Sequence, residues 1–111
     1  MTNNKSEEFT TEQQQIACCG KVLSHPARVA ILLLLAEKKE IKTSNISDFL
    51  PISRPTVSQH LKELKEAGII CGTIEGPRIH YCLNMSRLQE VKQSLNDFLS
   101  SLKSDFKCKC D

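Results

Sequence analysis

At 111 residues and 12.5 kDa, the chain is the size of one domain, since domains commonly run to about 100–150 residues. Apolar residues make up 40% and charged residues 25%, which excludes collagen-like, mucin-like and wholly disordered chains; with four Phe, one Tyr and no Trp, any core must be aliphatic. A formal net charge of +2 neither demands nor excludes nucleic acid, so the placement of charge has to decide.

Residues 1–9 are polar and expected to fray. Thr10 or Thr11, with Gln13 or Gln14 three residues on, predicts a capping box opening a first helix. On that helix Ile16, Cys19, Gly20 and Leu23 share one face, while Cys18 projects about 100° away from Cys19. Ser24-His25-Pro26 breaks the chain and restarts it with Pro26 in a first helical turn, His25 serving as a cap. The run Val29 to Ala36 is apolar all round, which predicts a central, buried helix. Thr43 or Ser44 can cap a short helix through Leu50 that Pro51 stops.

Ser53 can cap the next helix, with Pro55 in its first turn. There Val57, Leu61 and Leu64 face inward, while Arg54, Thr56, Gln59, His60 and Glu63 face out, until Gly68 ends the helix. Two short helices around Pro51-Ile52-Ser53 predict a helix-turn-helix. Ile69 to Ile74 and Ile79 to Leu83 flank Glu75-Gly76-Pro77-Arg78 and predict a hairpin. Pairing Ile74 with Ile79 sets the register: Ile70/Leu83, Gly72/Tyr81 and Ile74/Ile79 on one face, Cys71/Cys82 and Thr73/His80 on the other. Gly72 then leaves room for the Tyr81 ring, and His80 is expected in solvent. Ser86 to Gln89 suggests another capping box, opening a long last helix. Its apolar positions Leu88, Val91, Leu95, Phe98 and Leu102 form a heptad seam too long for so small a domain to cover, which predicts dimerisation.

The predicted fold is mainly α with a small β-hairpin: a winged helix-turn-helix, dimerising through its first and last helices. It divides into a flexible N-terminus (1–9), a DNA-binding and dimerisation domain (10–106) and a Cys-containing tail (107–111). The second short helix would enter the major groove, where Arg54, Thr56, Ser58, Gln59 and His60 could reach base edges and phosphates. Lys62 and Lys65 extend the positive face, and Arg78 at the hairpin tip could reach the minor groove or phosphates. Nothing matches an enzyme's site: there is no Ser/His/Asp set, nucleotide-binding glycine loop or Cys-X-X-Cys.

Three separated segments carry a family resemblance: Leu23 to Leu32, Ile52 to Ile70, and Gly76 to Leu83. In that order they resemble the ArsR/SmtB family of metal- and metalloid-responsive bacterial repressors, over roughly residues 11–105. The resemblance implies a homodimer that holds double-stranded operator DNA and lets go when an inducer binds. It implies that Ser53, Arg54, Thr56, Ser58, Gln59 and His60 face DNA, with Arg78 at a wing position. The Cys-Val-Cys of the best-known arsenic sensors is absent, because Lys42, Thr43 and Ser44 stand at its positions. The family's zinc site between the last helices also lacks ligands, since residues 85–106 offer no His and only Glu90, Asp97 and Asp105 as carboxylates.

Six cysteines remain: Cys18, Cys19, Cys71, Cys82, Cys108 and Cys110. A secreted disulfide scaffold is disfavoured, because residues 1–15 contain no apolar signal core and no apolar run approaches the roughly 18 residues that span a bilayer. A cytoplasmic location without a membrane partner is expected, with thiols kept reduced. Trivalent arsenic or antimony prefers such soft ligands, and an adjacent pair on the first helix resembles one of the family's relocated arsenite sites, completed by a thiol of the other subunit. The expected metal ligands are thus Cys18 and Cys19, with Cys108 or Cys110 as third thiol and arsenite or antimonite as inducer. Cys19, on the apolar stripe, is equally readable as a packing residue. The alternatives on the same fold are a redox or persulfide sensor and a soft-divalent (cadmium or lead) sensor. Cys71 and Cys82 read as β-compatible residues of the wing rather than a redox pair, and would fall within disulfide range if directly opposed in a non-hydrogen-bonded pair.

Overall fold

The structure, a computed structural model, describes residues 8–38, 41–42, 46–76, 78–105 and 108–109. Thr10 opens helix α1 (Thr11–Val22) by a reciprocal capping box: its hydroxyl accepts from the Gln13 N–H, and the Gln13 side chain accepts from the Thr10 N–H, both at 3.0 Å. Helix α2 (Pro26–Lys38) follows a short break. Its first turn is capped by His25, whose Nδ1 accepts from the Ala27 N–H at 2.9 Å. Ala27, Ile31 and Leu35 are buried, at the four-residue spacing of one helix stripe. The helix expected to be buried all round is not: Val29 and Leu33 lie off that stripe and are exposed, Leu33 by 66%.

A two-residue strand, β1 (Ile41–Lys42), is too short to register in a sequence pattern. The cap expected at Thr43 or Ser44 lies outside the described residues. Beyond it Ile46 is fully buried, and the segment predicted as a short helix ends in a 3-10 turn, Ser47–Phe49. Helix α3 (Arg54–Glu66) starts at Ser53 with Pro55 in its first turn. Ser53 occupies the cap position, but its hydroxyl meets the Thr56 hydroxyl at 3.0 Å and caps no backbone N–H. Val57, Leu61 and Leu64 face the core. The helix ends in a Schellman motif, where Ile69 N donates to Leu64 O at 3.0 Å, Gly68 N donates to Lys65 O at 2.9 Å, and Gly68 takes φ +78°.

Strands β2 (Ile70–Glu75) and β3 (Arg78–Leu83) form the wing, with β1 added on the far side of β3. The register is the predicted one, from Ile70↔Leu83 through Cys71↔Cys82, Gly72↔Tyr81 and Thr73↔His80 to Ile74↔Ile79. A Cβ on Gly72 would lie 3.2 Å from both Tyr81 Cε1 and Ile79 Cγ2, so the ring occupies the space that glycine leaves. The core face holds only near the root, for Ile74 far along the wing is 75% exposed.

Helix α4 (Met85–Ser101) begins at Asn84, not at Ser86 as the sequence suggests. Asn84 Oδ1 accepts from the Arg87 N–H at 3.2 Å, its Nδ2 donates to Gly68 O at 2.9 Å, and its backbone N–H donates to Ile69 O at 2.9 Å. One residue thereby locks the start of α4 to the end of α3. Val91 is buried, with Leu88 and Leu95 packed against the same core. Phe98, Leu99 and Leu102, the last now the C-cap, are exposed. No described helix is long and apolar enough to cross a membrane on its own.

Candidate functional site

Two features are candidates for function: the outer face of α3 with the wing beside it, and the thiols of α1. Burying Val57, Leu61 and Leu64 turns the opposite side of α3 outward, and Arg54, Thr56, Ser58, Gln59, Lys62 and Lys65 are all exposed there, with Ser53 just ahead. This side carries donors, acceptors and cations and no large apolar group, the composition that reads base edges and phosphates in a groove. Arg78 pairs with Glu75 where β3 leaves the wing tip; its side chain lies outside the described residues.

His60 does not belong to that face. It is buried, and Arg28 Nε donates to its Nδ1 at 3.2 Å. The His25 ring lies against it, centroids 4.6 Å apart. Positions 57, 60, 61 and 64 form the i, i+3, i+4, i+7 stripe that packs inward, and that spacing places His60 inside despite its polarity. Glu63, also expected outside, is drawn in to pair with the Arg28 guanidinium, and Gln59 Nε2 donates to its other carboxylate oxygen at 2.9 Å.

Arg28 is the residue that sequence reasoning missed. Buried on α2, it satisfies its guanidinium on three sides, with Nη1 donating to Lys21 O of α1 at 3.0 Å and the other contacts reaching His60 and Glu63 of α3. Its partners are 7, 32 and 35 residues away, so no local pattern reveals them. Burial holds the His60 imidazole below its usual value, the charges of His25 and Arg28 add to this, and Glu63 opposes it. Glu63 is held below the ordinary carboxylate range, first by the Gln59 hydrogen bond and then by Arg28, against partial desolvation.

On α1, Cys19 is buried in the core while Cys18 is exposed. Both line a cleft of about 450 Å³ between α1 and α4, with Gln14, Arg87, Glu90 and Val91. Cys18 also lines a second cavity of about 250 Å³ with Lys21, Arg28 and Glu63, so this thiol adjoins the polar network behind α3. Cys108 is exposed beyond α4; Cys110 lies outside the described residues. Among the described residues no three His, Cys, Asp or Glu side chains gather as a metal site within one chain. On the wing, His80 is only 13% exposed rather than solvated, and its Nε2 lies 3.7 Å from Glu75 Oε2.

Residues 25–71 match the family model described as bacterial regulatory protein, arsR family. The chain is 38% identical over 71 residues to an uncharacterized HTH-type transcriptional regulator of Methanocaldococcus jannaschii, covering 64% of this chain and 80% of that protein. Among solved structures it resembles a possible transcriptional regulator for arsenical resistance, with TM-score 0.66 and 29% identity over 72% of this chain and 82% of the other. It also resembles the homodimeric winged helix-turn-helix domain of a possible ArsR-family regulator from Mycobacterium bovis. There the TM-score is 0.61 and the identity 26%, over 97% and 96% of the two chains.

Proposed function

Because the chain belongs to the arsR family of bacterial regulatory proteins, we propose that this transcriptional repressor binds its operator as a homodimer and is released by trivalent arsenic or antimony. The carrying observation is the partition of α3, whose inner stripe is buried while Arg54, Thr56, Ser58, Gln59 and Lys62 stand together in solvent. Such a helix inserts its outer side chains into a major groove, and two copies then read half-sites about 34 Å apart. The homodimeric M. bovis relative supports the assembly, and the relative connected with arsenical resistance supports the class of inducer.

The inducer is assigned to Cys18 and Cys19, with Cys108 or Cys110 of a second copy completing three thiolates. Cys19 is packed in the core and Cys18 is exposed, and both line the cleft between α1 and α4, so an ion held by both and by a thiol of a second copy loads α1. Arg28 donates to the Lys21 carbonyl of that helix and also grips Glu63 and His60 of α3. Movement of α1 therefore pulls on the helix that reads DNA, which gives inducer and operator the differential interaction that coupling requires.

A gel-shift series on operator DNA tests both halves. Arg54→Ala is expected to weaken specific binding by about 1–3 kcal/mol if it reads a base, and Lys62→Ala to lower the salt slope by about one. Arsenite should release the fully reduced wild type but not Cys18→Ser or Cys19→Ser. Unchanged operator affinity in both α3 variants would remove the helix from the interface; release by oxidant or polysulfide alone, with arsenite inert, would replace the inducer.

A further inference from the structure

The wing carries a pair of thiols that the inducer site does not use. Cys71 and Cys82 are direct partners in the β2–β3 register, both unbridged, Cys71 exposed and Cys82 half-buried. Directly opposed residues of an antiparallel pair have Cα atoms about 4.5–5.5 Å apart, inside the span of about 4.4–6.8 Å that a disulfide bridges. Because opposed side chains leave a strand on the same face, the two sulfur atoms also share one side of the wing. Along β2 this side is the outer one, since Thr73 and Glu75 next to Cys71 are exposed. On β3 it is partly covered, with Cys82 half-buried and the His80 side chain 13% exposed; Ile70 and Tyr81 turn to the core.

We propose that Cys71 and Cys82 are a dithiol modification site, which exchanges with a low-molecular-weight disulfide and closes to a cross-strand disulfide. Cys71, the accessible thiol, attacks as thiolate on one sulfur of the small disulfide, forming a mixed disulfide and expelling the first small thiolate. Cys82, its proton given to solvent, then attacks Cys71 Sγ and expels the second. Two protein S–H bonds and one small-molecule S–S bond become one protein S–S bond and two small-molecule S–H bonds. The protein loses two electrons and two protons, and the small disulfide gains them. The bridge ties the strands one pair from Ile70↔Leu83, where the wing leaves the core, and fixes its base without reaching α1.

Sequence makes the product easy to identify, because Arg78 lies between the two cysteines. Trypsin separates residues 66–78 from residues 79–87, each with a single Cys. The reduced full chain is treated with oxidised glutathione, quenched in acid, alkylated, digested and weighed. Expected is the joined pair of peptides, two hydrogens lighter than their sum and separated by dithiothreitol. In Cys82→Ser, Cys71 should stop at a single glutathionyl adduct. In Cys71→Ser, the half-buried Cys82 should react about tenfold more slowly or less. Recovery of the wild-type peptides singly, bare or each glutathionylated, overturns the proposal. So does finding either peptide joined instead to one bearing Cys18, Cys19, Cys108 or Cys110.

Discussion

His60 has its Nδ1 committed to accepting from Arg28 Nε, so a proton arriving there would displace that bond and set one cation against another. Arg28 of α2 and His25, which caps that helix, face the ring, Glu63 of its own helix is the compensating anion, and α1 contributes the Lys21 carbonyl to the network. Since the folded pKa lies below the ordinary 6.5, the unfolded chain takes up the proton first as pH falls. Stability is therefore fully present above about 6.5 and declines from there down to the folded value. The urea midpoint should drop between pH 7.5 and 5.5, and His60→Gln should flatten that decline while lowering the midpoint at pH 7.5. A variant that keeps the wild-type pH slope would show that the titration resides elsewhere. Much of this was open to a periodicity count, because 57, 60, 61 and 64 are one stripe. What the count cannot supply is Arg28, whose partner on α3 is 32 residues distant.

Legibility at the scale of elements follows the same division between local and distant causes. The α1 cap, the α3 terminus at Gly68 and the full β2–β3 register depend on residues within a turn or across a tight hairpin, and these are written in adjacent letters. β1 is two residues long and exists because Ile41 and Lys42 find Tyr81 and His80. The start of α4 is misplaced by two residues for a related reason. Ser86 has the better local pattern, but Asn84 gains a donor bond to Gly68 O besides its cap. Asn84→Ala should thus cost about 1–2 kcal/mol through the lost cap and the carbonyl left behind, whereas Ser86→Ala should stay within about 0.5 kcal/mol. Equal losses in denaturant titrations of the two variants would return the cap to Ser86.

For the whole molecule, the decisive length is that of α4. Its apolar positions stay with the core as far as Leu95, yet the seam continues through Phe98 and Leu102, with Leu99 and Leu102 each 63% exposed. A chain of this size buries a limited share of its apolar surface alone, and the exposed end of α4 is the surface that a second copy would cover. One copy presents one α3, whereas an operator read at two half-sites needs two copies held at a fixed separation. Leu99→Glu places a charge beside that seam, on the exposed apolar end of α4, without touching α3 or the Cys18–Cys19 cleft. Sedimentation should show a monomer, with circular dichroism unchanged, and operator affinity should fall by the avidity of the second half-site, about 10²–10⁴-fold. A dimeric Leu99→Glu protein would remove the end of α4 from the interface. If arsenite is the inducer, as proposed, the same measurement with arsenite on the wild type separates two ways of losing DNA. Reorientation of paired subunits leaves the sedimenting species a dimer, whereas the appearance of monomers would mean that the inducer acts by breaking the seam and not through Arg28.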